Sequence, residues 1–344
     1  MFLSVFSDEL FCDVSEALPK IKSWGGAYAD FRGMINGKGI EYQTLDELKD
    51  LKKTMDNLGL KTGALQSSLC KVHLPGPERQ KQELEKLEGL IRAAGILGCR
   101  LVRSFNYWQC HEGMEAGTLA VRPGEMGRVL DMFGPVAERA KDAGLVFGFE
   151  NCGQTADEVI ALLKALNIPG WGLAWDPHND IEITSLGLDP ENCVDYYERC
   201  LKEAVMIHVK AATIVPGIDR TKLPWDRILR GAAAAGKDIP VSMETHNPQG
   251  SPYTHEEATK KTFELTQSAW PAAGTPSSVR GALKAGREFI RPYNGDPVRF
   301  VVAGLGMGSF RAKQLTETSG CRLYGVVDIN GEKAKKTGEE LDVP

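Results

Sequence analysis

The stretch LVFGFEN at residues 145–151 is an apolar run that carries an acid, Glu150, near its end, and an apolar run with an acid or an imidazole near its end returns three times further along the chain. The later runs are GLAWDPHN at 172–179, VMIHVK at 205–210 and IPVSMETH at 239–246, which carry Asp176, His208 and Glu244. The gaps of 26, 32 and 36 residues each match about one strand plus one helix. In a closed parallel barrel the carboxyl ends of all strands meet at one face, so the spacing predicts one shared site.

Apolar strand-like runs alternate with longer amphipathic segments from the N-terminus to about residue 268. Eight strands are predicted, at 2–6, 27–31, 61–66, 100–105, 145–150, 172–176, 204–209 and 240–244. Helices are predicted between them, at 44–58, 77–97, 123–143, 155–165, 190–203, 225–235 and 255–269. Thr44 with Glu47, and Thr155 with Glu158, have the spacing of capping boxes. Eight such units predict an α/β chain with a (β/α)8 TIM barrel over residues 1–268.

Composition narrows the function classes. The chain has 344 residues, more than the roughly 250 of a single barrel, and a formal net charge of -5. The charge argues against general affinity for nucleic acid, and no apolar run is long enough to span a membrane. We therefore expect a cytoplasmic protein whose partner is a small molecule; self-association into a homo-oligomer stays open. Eight cysteines without a CxxC pair predict free thiols.

Each of the four strand-end residues has an ordinary explanation when it is taken alone. A glutamate there could cap a helix or pair with an arginine, Asp176 could begin a turn before Pro177, and His208 could be a hydrogen-bonded core histidine. Together they predict a metal site, with Glu150, Asp176, His208 and Glu244 as ligands. Three carboxylates and one imidazole favour Mn²⁺, with Mg²⁺, Co²⁺ and Zn²⁺ as alternatives.

A divalent ion flanked by two carboxylates is suited to proton transfer at carbon. We expect Glu150 and Glu244 to act as acid and base on a metal-stabilised enediolate. Transfer to the opposite face gives epimerisation, return to the neighbouring carbon gives isomerisation, and loss of a β-hydroxyl gives dehydration. Candidate substrate-binding residues are Lys210, which lies on the same strand face as His208, and His178, His246 and Arg103. For Arg103, pairing with a carboxylate in the barrel is the alternative.

These segments resemble the xylose isomerase-like barrels, which include sugar isomerases, sugar 3-epimerases and inosose dehydratases. The matching motifs are Phe149-Glu150-Asn151, Asp-Pro-His-Asn at 176–179, His-Val-Lys at 208–210 and Met-Glu-Thr-His at 243–246. The resemblance covers residues 1–268 and implies that Glu150, Asp176, His208 and Glu244 hold one divalent ion. Cys152 and Ala211 stand where relatives often have histidine and aspartate, which bears on the substrate more than on the metal.

The C-terminal part follows a different pattern. A linker rich in Pro, Gly and Ser is predicted at 269–296, and an apolar strand then leads into Gly304-Leu-Gly306-Met-Gly308. A second strand ends at Asp328, 22 residues after Gly306, which is close to the spacing of a ribose-binding acid. Ser309 occupies the place of the third glycine.

Residues 297–344 resemble the start of the NAD(P)-binding domain of Gfo/Idh/MocA sugar oxidoreductases. The resemblance implies a cofactor site at Gly304, Gly306, Gly308 and Asp328, in an incomplete Rossmann βαβ unit at the point where a fusion is truncated. NAD(P) is therefore expected only for a full-length fusion.

Three functions follow from the sequence. The first is a divalent-metal-dependent sugar or polyol isomerase or epimerase, or an inosose-type dehydratase. The second is an NAD(P)-dependent sugar oxidoreductase whose catalytic part lies outside these residues. The third is a barrel that binds a sugar without turning it over.

Overall fold

A computed structural model describes residues 1–72, 77–106, 125–183, 193–218, 223–271, 278–284, 298–306, 308–317 and 321–343. The chain forms two compact units, Met1–Leu283 and Lys284–Pro344. Part of the segment predicted as a linker, 272–277 and 285–296, lies outside the described residues. The rest includes a short helix that belongs to the first unit.

The first unit is a closed barrel of eight parallel strands in chain order, β1 to β8, with β8 paired to β1. This confirms the predicted barrel. The predicted bounds differ slightly from those observed: the fourth strand, for example, covers 101–104 instead of 100–105. In order, the strands are Phe2–Phe6, Tyr28–Phe31, Lys61–Gln66, Leu101–Ser104, Val146–Glu150, Gly172–Trp175, Ala204–Val209 and Pro240–Met243.

Helices connect the strands and cover the barrel. The described α-helices of this unit, α1 to α10, are Val14–Ser23, Leu45–Leu58, Pro77–Leu97, Glu125–Asp142, Ala156–Leu166, Pro177–Ile183, Val194–Glu203, Trp225–Ala234, His255–Ser268 and Val279–Lys284. Short 3-10 helices occupy Ser7–Leu10, Ile40–Tyr42 and Ala211–Thr213. Both predicted capping boxes form, at Thr44 and at Thr155. Within the described residues, no helix is both long enough and apolar enough to cross a bilayer.

Three described α-helices of this unit, α1, α6 and α10, lie outside the predicted helices, and α10 falls in the segment predicted as a linker. α1 contains Pro19, which obscures the helical pattern, yet its apolar residues Val14, Ala17, Leu18 and Ile21 all pack into the core. α6 begins at Pro177, where the sequence also allowed a turn. Proline is well tolerated in the first turn of a helix because its missing N–H has no partner there. The Asp-Pro motif therefore ends a strand and starts a helix at once.

The twofold periodicity of the strands separates the helix-facing side chains from the interior ones. Phe149, Trp175, Val209 and Met243 belong to the core between strands and helices. Ala174 and Met206, one residue out of step with that set, belong to a small cluster with Ala64, separate from that core. Residues two positions beyond Ala174 and Met206 continue the second face, and these are Asp176 and His208. The alternation therefore directs the predicted ligands into the carboxyl-terminal mouth of the barrel.

Asp180 joins α6 to the N-terminus of α5. Its carboxylate accepts hydrogen bonds from Ala156 N at 3.0 Å and from Trp175 Nε1 at 3.1 Å. The side chain is buried, and this burial raises the pKa of Asp180 to about 6, although the hydrogen bonds to its carboxylate act in the opposite direction. The contact fixes the segment that follows Asp176.

The raised pKa of Asp180 predicts a pH-dependent loss of stability. The unfolded carboxyl ionises near its model value of 3.8 and the folded one near 6, so stability falls as pH rises through this window. Relative to Asp180→Asn, the free energy of unfolding of the wild type should fall by on the order of 2 kcal/mol between about pH 4 and about pH 7. Denaturant titrations of both proteins across this range measure it. A difference that stays constant with pH would contradict the assignment.

The second unit contains two parallel strands, Val298–Ala303 (β9) and Cys321–Val327 (β10), and two helices, Gly308–Glu317 (α11) and Gly331–Leu341 (α12). Leu305, Ala312, Leu323 and Val326 form its own small core. The predicted order of strand, glycine turn, helix and strand is present. A complete nucleotide-binding domain has more strands than the two described here.

Candidate metal centre

Glu150, Asp176, His208 and Glu244 converge at the carboxyl-terminal mouth of the barrel. Each offers a ligand atom within 4.8 Å of those of the other three, and all four side chains are buried. They come from the ends of β5 to β8, four successive strands. The four residues that the sequence placed in one site are therefore brought together.

Glu150 and Asp176 are oriented by neighbouring polar groups. Glu150 Oε2 accepts a hydrogen bond from Arg103 Nη1 at 2.8 Å, and Oε1 accepts one from Asn179 Nδ2 at 3.1 Å. The side-chain amide of Asn151 makes two 2.8 Å hydrogen bonds with the backbone N–H and C=O of Asp176. Asp176 Oδ1 accepts from His178 N at 2.9 Å. Motif residues beside the two acids thus hold them in place.

Glu244 lies at the centre of three cationic side chains. Its Oε1 accepts from Arg32 Nη1 at 2.8 Å and from Arg103 Nη1 at 3.0 Å, and its Oε2 accepts from Lys210 Nζ at 2.7 Å. Burial raises the pKa of Glu244, but Lys210 and Arg103 outweigh it and hold the pKa well below its usual range. Burial likewise raises the pKa of Glu150, and Arg103 reverses this to a net lowering. Both glutamates are therefore carboxylates.

Three buried polar atoms at this site make no hydrogen bond in the described structure: Asp176 Oδ2 and both ring nitrogens of His208. His208 Nδ1 lies 3.2 Å from Glu244 Oε2, and Asp176 Oδ2 lies 3.2 Å from Lys210 Nζ, but neither pair is aligned as a hydrogen bond. Buried polar atoms without partners destabilise a fold unless a ligand satisfies them. Hard oxygen donors with one imidazole are a set that a divalent cation fits.

The charge balance of the surrounding network also favours a bound divalent cation. Ion pairs link five carboxylates, those of Asp8, Glu9, Glu150, Asp176 and Glu244, to three cations, Arg32, Arg103 and Lys210. With neutral histidines, this network carries two more negative than positive charges. Buried net charge is unfavourable, and one divalent cation neutralises it.

Sequence comparison identifies the protein family of the barrel. The profile of the xylose isomerase-like TIM barrel matches residues 18–269, well over half of the chain. The chain belongs to this family. Comparison with curated proteins gives no match. The resemblance to this family, predicted for residues 1–268, is therefore confirmed over residues 18–268.

Solved structures share the family fold. D-Psicose 3-epimerase from Clostridium cellulolyticum H10, solved with D-tagatose, has a TM-score of 0.61 and 13% identity, covering 79% of this chain and 100% of its own. D-Allulose 3-epimerase from Methylomonas sp. has a TM-score of 0.58 and 12% identity, with coverage of 78% and 98%. A xylose isomerase-like TIM barrel protein from Mycobacterium smegmatis in complex with magnesium has a TM-score of 0.55 and 14% identity, with coverage of 75% and 89%.

The four predicted substrate-binding residues occupy different positions around the family's barrel mouth. Arg103 is buried and bridges both glutamates, so it pairs with carboxylates in the barrel, as the alternative prediction has it. Lys210 is buried beside Asp176 and Glu244. His246 is 54% exposed, with Nε2 3.3 Å from Glu244 Oε1, and His178 is half-buried next to Asp176. His246 is the most accessible of the four, and substrate contact by any of them remains a prediction.

Sequence reasoning missed a second group at the same mouth. Arg32 pairs with Asp8 at 2.7 Å, with Glu9 at 2.6 Å and with Glu244 at 2.8 Å. Asp8 and Glu9 follow β1, and Arg32 follows β2. All three are polar residues that follow a strand-like apolar run, so a search for polar strand ends in the first two strands finds them. The residues around Asp8, Glu9 and Arg32 match none of the motifs of β5 to β8, so those motifs do not indicate them.

The residues predicted to bind a nucleotide lie in the second unit. Gly304 has a φ of 84°, a conformation that favours glycine, and Gly308 begins α11. The carboxylate of Asp328 accepts hydrogen bonds from Leu305 N in the glycine turn and from Asn330 N, and these bonds lower its pKa. Gly306 lies in the same turn, between Leu305 and Gly308. The family match ends at residue 269, so nucleotide binding and the Gfo/Idh/MocA resemblance remain predictions without support from the comparisons.

Proposed function

We propose that this chain is a divalent-metal-dependent sugar epimerase or isomerase, with Glu150 and Glu244 as its acid and base. One observation carries the proposal: four buried ligand side chains, two of them glutamates, converge within 4.8 Å at the mouth of a xylose isomerase-like barrel. The D-psicose and D-allulose 3-epimerases that share the fold make a small keto sugar the substrate class to test first.

Glu150, Asp176, His208 and Glu244 would hold the ion. When bound, a divalent cation supplies Lewis acidity that lowers the pKa of the C–H next to a coordinated carbonyl. Three carboxylates and one imidazole make Mn²⁺ the first choice, ahead of Mg²⁺, Co²⁺ and Zn²⁺.

The chain's own residues move the proton. One glutamate carboxylate takes the proton from carbon and leaves an enediolate. The other glutamate, which must first take up a proton from solvent, returns that proton to the opposite face, and this inverts the carbon. β5 and β8 are separated by two strands in the barrel, so Glu150 and Glu244 reach the substrate from different sides. Arg103 contacts both carboxylates and favours the ionised form of whichever glutamate acts as the base. Dehydration would need the same base and a leaving β-hydroxyl.

Metal content tests this proposal directly. We expect about one divalent ion per wild-type chain by elemental mass spectrometry, and none in the double variant His208→Ala/Glu244→Gln. The matched control is His255→Ala/Glu83→Gln, which also removes one histidine and one buried, ion-paired glutamate but leaves the four-residue cluster intact. It should retain the ion.

The alternatives make different predictions in the same experiment. Wild-type protein that stays free of ion after Mn²⁺ addition would overturn the metal-dependent mechanism and favour a barrel that binds sugar without turnover. Ion retained in the double variant would place the metal elsewhere. If the metal-loaded protein catalyses no incorporation of solvent deuterium into any 2-keto sugar, the proposed epimerase and isomerase activities are wrong.

A further inference from the structure

Lys210 lies inside the ring of proposed metal ligands. It follows β7 directly, two residues after His208, and its side chain is 4% exposed. Its Nζ lies 2.7 Å from Glu244 Oε2, 3.2 Å from Asp176 Oδ2 and 3.0 Å from His246 Nδ1. One ammonium group thus spans two of the four ligand residues.

The oxygens that Lys210 contacts are those best placed for an ion. Asp176 Oδ1 already accepts a hydrogen bond from His178 N, so Oδ2 is its available oxygen. Glu244 Oε1 accepts from Arg32 and Arg103, and Oε2 is the oxygen that lies 3.2 Å from His208 Nδ1. A divalent cation and an ammonium group repel each other strongly in a buried site. This repulsion disfavours simultaneous contact of both cations with the same two oxygens.

We propose that the Lys210 ammonium competes with the divalent ion for Asp176 Oδ2 and Glu244 Oε2, and moves towards His246 when the ion binds. The inference rests on the proposed metal site. His246 is the exposed member of the set, so the displaced ammonium reaches the barrel mouth, where it can bind a substrate oxygen. Lys210 then sets the affinity of the ion and couples its binding to formation of the sugar site.

The competition has a thermodynamic consequence. Without an ion, the ammonium lies between the two buried carboxylates and reduces their mutual repulsion, while Arg32 and Arg103 also offset the charge of Glu244. Each ion that binds must displace it, so the measured affinity is weaker than the four ligands alone would give. A lysine that merely oriented Glu244 would have the opposite effect, because its removal would loosen a ligand.

Mn²⁺ affinity of chelator-treated Lys210→Met, measured by calorimetry or electron paramagnetic resonance, tests the proposal. We expect the dissociation constant to fall about tenfold relative to the wild type. Lys71→Met is the matched control: its ammonium lies 4.8 Å from the Phe105 ring centroid, near the mouth, and makes no ion pair with the four ligands among the described contacts. Its affinity should change much less. Lys210→Gln, a smaller polar change, should shift affinity in the same direction and covers the case in which Lys210→Met fails to fold.

The wild-type protein gives an independent measurement. Amine labelling followed by mass spectrometry should show more modification of Lys210 with saturating Mn²⁺ than without, with Lys71 as internal reference. Equal or weaker Mn²⁺ affinity in both Lys210 variants, or protection of Lys210 by Mn²⁺, would overturn the competition and leave the metal site standing. Absence of Mn²⁺ binding in wild type and variants alike would overturn both.

Discussion

Glu150→Gln and Glu244→Gln should each abolish proton exchange from one epimer of the substrate while leaving exchange from the other. A glutamine has nearly the shape of glutamate but cannot accept the proton, and loss of a positioned base lowers the rate by about 10²- to 10⁴-fold. If each glutamate serves one face of the sugar, Glu150→Gln eliminates deuterium uptake from one epimer and Glu244→Gln eliminates it from the other. Nuclear magnetic resonance of each epimer in D₂O, with the variants saturated with Mn²⁺, measures the rates.

Two controls make this test decisive. Glu83→Gln removes a buried carboxylate on α3 that pairs with Arg79 and Lys86, outside the four-residue cluster, and should exchange both epimers at the wild-type rate. Metal content measured on the same samples separates a lost base from a lost ion. If both site variants lose exchange from the same epimer only, a single base operates and the two-glutamate mechanism is wrong. That result would favour isomerisation or dehydration.

Arg103→Met should destabilise the protein by about 3–5 kcal/mol, the range measured when one partner of a buried ion pair is removed. The Arg103 side chain is 4% exposed and its Nη1 bridges Glu150 and Glu244 at 2.8 and 3.0 Å. Glu244 keeps Arg32 and Lys210, so most of the loss comes from Glu150, whose described hydrogen bonds then reduce to the one from Asn179. Denaturant unfolding monitored by circular dichroism gives the free energy of unfolding.

Arg139→Met is the matched control for that measurement. Arg139 on α4 donates two hydrogen bonds to Glu88 on α3, but its side chain is 42% exposed. Exposed ion pairs contribute about 0–1 kcal/mol to the free energy of unfolding. A double variant, Arg103→Met/Glu150→Gln, should lose less stability than the sum of its single variants, because the neutral amide no longer needs a buried partner. Equal losses in Arg103→Met and Arg139→Met would show that the bridge contributes nothing beyond a surface pair.

The fold and the convergence of the four candidate ligands could be predicted because both depend on short-range order along the chain. Each βα unit carries its own strand, cap and terminal polar residue, so Glu150, Asp176, His208 and Glu244 are visible one unit at a time. The contacts of Arg32 are different, because they depend on closure of the barrel between β1 and β8, which brings residues 32 and 244 together. No local pattern encodes that closure. Lys210 was visible as a candidate, but its position between two ligands follows only from the geometry of β6, β7 and β8 together.

The polar residues at the barrel mouth form two groups, one from the first four strands and one from the last four. Strands β5 to β8 carry the four proposed ligands, whereas Asp8, Glu9, Arg32 and Arg103 come from the ends of β1, β2 and β4. Among the described ion pairs, Asp8 and Glu9 contact Arg32 and His246 and none of the four proposed ligands, so a change at the end of β1 can alter what fits beside the proposed ion without removing a ligand contact. This modularity makes the first half of the barrel the place to begin redesigning sugar preference, and it offers one route by which a single fold comes to accept many substrates.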